Sequence, residues 1–180
     1  MDWEFFSNQI EELGYFRYVK ESKKKHIPRM LQKMKKTHSL FSVMVNRDYP
    51  ADEERLAECG VKNFMMDIMS ILRINNVIID NIDERCSRDG YNLNINGKEF
   101  VMYSGEEVDK VGVNIWNLTK ERAFSMINKM LRVAGSDERI FSLYGGNDHW
   151  CVFLTLALHD IIVRSNLIAE ATDLKLYEDE

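Results

Sequence analysis

The sequence predicts an α+β fold: an antiparallel sheet of about five strands, two hairpins plus one strand, with helices packed on one face and a mainly helical N-terminal part. Three observations carry this. Apolar residues recur at three- and four-residue intervals through residues 1–75, Asn96-Gly97 sits at the centre of a run of alternating polarity, and two short apolar runs flank Gly145-Gly146-Asn147-Asp148. Helices come first, then a hairpin, a strand, a helix, a second hairpin and a last helix, which is a segregated order rather than alternating βαβ units. One domain over 1–180 is expected, with 1–75 mainly helical, 91–155 a sheet with an inserted helix, and 156–168 a C-terminal helix.

Trp3, Phe6, Ile10 and Leu13 mark a first helix that ends near Gly14. Pro28 suits the first turn of a second helix, because it lacks an N–H to satisfy. That helix carries Ile27, Met30, Leu31, Met34, His38 and Phe41 on one stripe and Arg29, Lys33 and Lys36 on the other side. Asp48-Tyr49-Pro50 interrupts the pattern, and Asp52, Glu53 and Glu54 open a short helix whose dipole favours acid at that end. Gly60 breaks it. Val61, Phe64, Met65, Ile68, Ile71 and Leu72 mark the next helix, which stops at Asn75-Asn76.

Asn96-Gly97 is the preferred pair for a two-residue type I′ turn. It pairs Ile95 with Lys98, Leu93 with Phe100 and Tyr91 with Met102, one apolar face, and leaves Asn92, Asn94, Glu99, Val101 and Tyr103 on the other. Val111, Val113 and Ile115 alternate like a further strand. A helix from about Thr119 buries Ala123, Ile127, Met130, Leu131 and Ala134 and stops at Gly135. Residues 139–144 and 149–155 read as the second hairpin. A helix with Leu158, Ile161 and Ile162 inward follows, and the acidic tail frays or adds a short edge strand.

The 180 residues, 45% hydrophobic and 29% charged, are enough for one substantial core. No window holds the 18 or so apolar residues of a membrane span. Met1-Asp2-Trp3-Glu4 carries acid where a signal peptide carries base. Cys59, Cys86 and Cys151 are odd in number and widely spaced, so no disulfide framework or zinc site is expected, and the predicted address is cytoplasmic. Nine Lys/Arg and one acid lie between Arg17 and Lys36, a local charge of +8. Against a chain total of −5, the remaining 160 residues balance to −13.

Motifs for catalysis are incomplete. Gly145-Gly146-Asn147-Asp148 resembles the Gly-x-Asn-Asp block of the SGNH-type hydrolases, but Gly135-Ser136-Asp137 has the wrong order for that family's nucleophile block, and no C-terminal Asp-x-x-His follows. These four residues read as a turn. Cys151 with His159 as base is the one thiol arrangement to test, since His149 lies two residues along the same strand, roughly 6.5–7 Å away. Cys151 sits in Trp150-Cys151-Val152-Phe153-Leu154, a run apolar on both faces, which favours an inert buried thiol. His26, His38, His149 and His159 never fall at metal-ligand spacing, and no glycine-rich phosphate loop is present, so no metal or cofactor is expected.

The function that asks for nothing missing is a non-enzymatic protein-binding domain, with an immunity or antitoxin-like inhibitor of a basic partner as its concrete form. The expected contact residues are Asp52, Glu53, Glu54, Glu106, Glu107 and Asp109, with Tyr103 and Trp116 as aromatic anchors and Tyr49 beside them as a further candidate. Two alternatives stand beside it. One is a small hydrolase-type enzyme built on Asp148 to Cys151 with His159. The other is nucleic-acid binding through 17–36, where Tyr15, Phe16 and Tyr18 would supply stacking.

Overall fold

The computed structural model describes residues 1–43, 45–143 and 149–178, and the side chain of Phe41 lies outside that description. The elements in order are α1 (Trp3–Glu12), α2 (Glu21–Lys24), α3 (Ile27–Thr37), β1 (Asp48–Pro50), α4 (Glu53–Arg55), α5 (Val61–Asp67), α6 (Met69–Ile74), β2 (Ile82–Ser87), β3 (Gly90–Ile95) and β4 (Lys98–Ser104). They continue with α7 (Gly105–Asp109), α8 (Ile115–Val133), β5 (Glu138–Leu143), β6 (Trp150–Thr155), α9 (Leu156–Ser165) and β7 (Lys175–Leu176).

The α+β class and antiparallel pairing are as the sequence predicts, but the strands divide between two sheets. The described strands form a four-stranded sheet in the order β1-β6-β5-β7 and a three-stranded sheet in the order β2-β3-β4. Helices do not keep to one face. Phe141, Leu143, Val152 and Leu154 pack with α1, α3 and α9, whereas Ile140, Cys151 and Phe153 pack with α5, α6, α8 and the inner face of the smaller sheet. The physical reason is the two-sided apolar sequence of β5 and β6, which stays favourable only when both faces are covered. Helix α8 lies between the sheets, so Ala123, Phe124, Met126, Ile127 and Leu131 are all buried. Its Asn128 is buried too. The amide donates to the carbonyls of Ile140 (3.0 Å) and Tyr177 (2.8 Å), and its oxygen accepts from Ile140 N–H (2.8 Å), completing an edge that the two residues of β7 do not cover.

Local signals explain most boundaries. The Asp2 carboxylate caps α1, and Gly14 (φ +79°) follows its end. Pro28 occupies the first turn of α3 as predicted. His38 turns left-handed (φ 51°) just past it and so leaves the predicted stripe, pairing with the Leu167 carbonyl instead. Asn96 (φ 52°) and Gly97 (φ 82°) take the positive φ values of a type I′ turn, with Ile95 opposite Lys98 and Leu93 opposite Phe100. A bulge corrects the far end of this hairpin: Tyr91 faces Tyr103, Met102 becomes the extra residue, and both Met102 and Tyr103 point inward.

The segment Val111–Val113 is not a strand. Gly112 takes φ +87°, and Asn114 accepts from the N–H groups of Trp116 and Asn117, so α8 begins at Ile115, four residues earlier than the expected Thr119. Two strands went unforeseen, β1 against β6 and β2 against β3. The tail supplies the short edge strand β7. The turn expected at Gly145-Gly146-Asn147-Asp148 lies outside the described residues.

The cysteine expectation is also corrected. Cys59 and Cys86 form a disulfide, with Cα atoms 6.0 Å apart, tying the break between α4 and α5 to β2. The odd count reflects the third cysteine, Cys151, which is free and buried. Closing 27 residues of sequence separation should restrict the unfolded chain by about 3–4 kcal/mol. Cys86→Ser is therefore expected to lower unfolding free energy in denaturant titration by about that amount, and an unchanged value would contradict it.

Arg47 makes five hydrogen bonds through a side chain that, like that of Glu138, is 0% exposed. The guanidinium reaches both Glu138 oxygens (3.0 and 2.9 Å) and the carbonyls of Gly14 (2.8 Å), Tyr15 (2.7 Å) and Phe153 (2.7 Å). Its carbon lies 4.6 Å from the Tyr18 ring centre. The Tyr18 hydroxyl donates to Glu138 (3.1 Å) and accepts from Asn75, which in turn accepts from Ser136. Removing one member of such a pair leaves a buried uncompensated charge, at about 3–5 kcal/mol. Arg47→Met should show that loss in urea unfolding. Adding Glu138→Met should regain only part of it, because the three carbonyls stay unpaired. A loss below about 1 kcal/mol would contradict this reading.

Candidate functional site

The thiol arrangement fails on geometry. Cys151 is 0% exposed and faces α8, donating to the Tyr49 carbonyl at 3.5 Å, and burial pushes its pKa up. His159 lies beyond the opposite face, stacked at 4.7 Å on Phe141, with Asp160 3.3 Å from its Nδ1. The sheet separates thiol from imidazole, so His159 cannot take the Cys151 proton. His149 places Nε2 3.3 Å from Glu53, and Glu53 also holds Lys120. These three side chains are 17%, 14% and 8% exposed, and together they join α4, α8 and the entry to β6. Asp148 lies outside the described residues.

The basic segment is a solvated face, with Lys23, Lys25, Arg29, Lys33 and Lys36 exposed and Met34 buried beneath α3. Its expected stacking aromatics are used elsewhere. Tyr15 and Phe16 are in the core, and Tyr18 covers Arg47.

The residues expected on the acidic surface divide. Asp52 caps α4 by accepting from Arg55 N–H at 2.7 Å. Glu53 is taken by Lys120 and His149. Glu107 forms a capping box with Ser104 and a two-pronged pair with Arg122 at 2.7 and 2.8 Å. Tyr103 is turned inward by the bulge, packs on Tyr91 and donates to the Ala57 carbonyl at 3.2 Å, so it is no surface anchor. Tyr49 is half-buried with its ring edge-on to Phe153. Glu54, Glu106, Asp109 and Trp116 are exposed.

Both acidic clusters grip α8 near its N-terminal end. Lys120 binds Glu53 and Arg122 binds Glu107; two residues along a helix are about 200° apart, so the clusters flank the helix from opposite sides. Trp116 precedes Lys120 by one turn and shares its flank. The segment leading into this helix end exposes Val108 (48%), Val111 (99%) and Trp116 (48%). Apolar side chains thus stand in solvent on a segment that also carries the exposed Glu106 and Asp109, and α4, which carries the exposed Glu54, packs against α8. Val111 is exposed because Gly112 and the Asn114 cap turn the chain into a helix where the alternation suggested a strand. The signal that could have revealed this was Asn114 itself, a preferred capping residue two positions before Trp116.

Among the described residues, no group of three or more His, Cys, Asp or Glu is placed to hold a metal ion, and no helix is long and apolar enough to cross a membrane. The chain matches no protein-family model, no curated protein and no solved structure.

Arg122, and then the Ser104 N–H, hold the Glu107 carboxyl down at about 2. Its folded pKa is below the unfolded value of about 4.3, so its contribution is complete above that value and disappears as pH falls toward 2. Glu107→Gln should lower the urea midpoint near neutrality and flatten the acid limb between about pH 5 and 2. An acid limb identical to wild type would contradict the pairing.

Proposed function

We propose that this chain is a protein-binding domain whose docking surface is the N-terminal end of α8, and that its partner is a positively charged protein. What supports this is the exposure of Val108, Val111 and Trp116 on the segment entering α8, with the exposed acids Glu106 and Asp109 in that same segment and Glu54 on α4, which packs against α8. Exposed apolar side chains with a charged rim are the composition of a protein interface, and a solvent-facing tryptophan is the residue type that most often concentrates binding energy. Acid on the rim attracts a basic partner over distance and raises the rate of encounter. The concrete form we favour is a small inhibitor of the immunity or antitoxin type. The cytoplasmic address expected from the cysteine count loses that support, since Cys59 and Cys86 are bonded and disulfides persist in oxidising compartments. The enzyme alternative loses its base to the far side of the sheet, and the nucleic-acid alternative loses its stacking aromatics.

The test is capture of the partner on immobilised protein, followed by kinetics on the purified pair at low and high salt. Glu54→Lys/Glu106→Lys/Asp109→Lys should slow association by about tenfold at low salt and flatten its salt dependence, with little change in dissociation. Trp116→Ala should speed dissociation by roughly 30-fold or more, as loss of a central anchor does. A captured partner of acidic charge, or kinetics indifferent to both variants, would refute the proposal.

A further inference from the structure

The N-terminal end of α8 has a complement on the same chain, the basic face of α2 and α3. Of the nine Lys/Arg between residues 17 and 36, Arg17 pairs with Asp137 and Glu138, and Lys24 with Glu21. The other seven are exposed, and none has an acid partner among the described residues. Arg29 and Lys33 follow His26 at i+3 and i+7, so the three share one side of α3. They line a cleft of about 420 Å³ between α3 and the chain at Ser42 and Val43. Met30 and the buried Val43 give that cleft an apolar lining, with the three basic side chains around it.

The segment entering α8 carries the opposite pattern, apolar Val111 and Trp116 in solvent with the exposed acids Glu106 and Asp109. Pockets of about 300–1,000 Å³ enclose molecules larger than an indole, so the α3 cleft can take one. There the ring leaves water against Met30, Val43 and the stems of Arg29 and Lys33, within reach of a cation–π contact. The acids of the same segment meet the unpaired cations of α2 and α3. Within one chain the four-stranded sheet separates the two surfaces, since α3 packs with Phe141 and Val152 on one face and α8 with Ile140 and Phe153 on the other. The contact therefore joins two copies. The net charge of −5 does not forbid it, because salt screens repulsion beyond about 8 Å and the local signs decide at contact.

We propose that, in the free protein, Trp116 and the acidic segment entering α8 of one copy dock in the α3 cleft of a second copy, a head-to-tail contact that the basic partner must displace. This rests on the reading of the α8 end as a docking surface and adds a regulation of it, because self-docking masks the surface until a partner competes. The two sides of the contact differ, so it closes into a ring or repeats along a filament.

Sedimentation velocity of the full chain at rising concentration should show reversible association that is lost at high salt. Glu106→Lys/Asp109→Lys and Arg29→Glu/Lys33→Glu should each weaken it by about tenfold or more while leaving circular dichroism unchanged. Mixing these two variants should restore a dimer, since one keeps an unaltered cleft and the other an unaltered α8 end. Trp116→Ala should weaken association by about tenfold or more as well, at any salt concentration. A monomer at every concentration, association indifferent to both double variants, or a mixture that stays monomeric would overturn the proposal. So would an α3 face that binds an oligonucleotide tightly at physiological salt while the chain remains monomeric. Self-association with no basic partner captured would support this contact and refute the functional reading, and a monomer that binds a basic partner at the α8 end would do the reverse.

Discussion

A guanidinium removed from water has to be held by protein on every side, and the groups that hold Arg47 come from otherwise separate parts of the chain. Gly14 and Tyr15 belong to the turn after α1, Phe153 to β6, Glu138 to the start of β5, and Tyr18 links the pair to Asn75 at the end of α6. The Arg47 carbonyl also accepts from Phe153 N–H at 2.9 Å, extending the β1–β6 pairing. The N-terminal helices, the four-stranded sheet and the layer leading to the smaller sheet therefore meet at one charge pair. Desolvating two charges is costly, and such a pair gives little net stability over a well-packed apolar substitute. What it imposes is alternatives that are worse still, because any arrangement that moves one of these segments leaves a charge or a carbonyl unpaired in the core.

The rest of the architecture follows from α8 sitting between two sheets. A helix covered on both sides cannot present a function along its length, which leaves its two ends and one flank. Its N-terminal end is fixed by ion pairs on opposite sides, Glu53–Lys120 and Glu107–Arg122, so the exposed Trp116 and Val111 project from a rigid base. Two of the six acids that look available in the sequence, Glu53 and Glu107, are spent on this bracing, and a third, Asp52, caps α4. The flank beside β4 stays open because the smaller sheet ends there.

Legibility in the sequence tracked how local the determining interaction was. Asn96-Gly97 sets its turn within two residues, and the neighbouring pairings followed from it. The bulge at Met102 depends on packing between Tyr91, Tyr103 and the Ala57 carbonyl, so the orientation of Tyr103 could not be read from alternation. β2 was hidden because its sequence, Ile82-Asp83-Glu84-Arg85-Cys86-Ser87, has only Ile82 to pack on the core; the next inward group is Glu84, bonded to the Tyr91 hydroxyl at 2.9 Å, and Cys86 is exposed and held by its disulfide. β1 is three residues ending in proline on a sheet edge. Arg47 and Glu138 are 91 residues apart, and nothing near either announces the other. For the candidate surface, the acidic clusters and Trp116 were legible as residue types. Their convergence on one helix end required the tertiary pairs to Lys120 and Arg122, which no spacing encodes.

Docking at the N-terminal end of α8 is most directly tested by hydrogen exchange on the chain with and without its captured basic partner. Protection should concentrate in residues 106–117, with the amides around Arg47 and Glu138 equally slow in both states. Protection centred on 17–36, or none in 106–117, would contradict docking at that end.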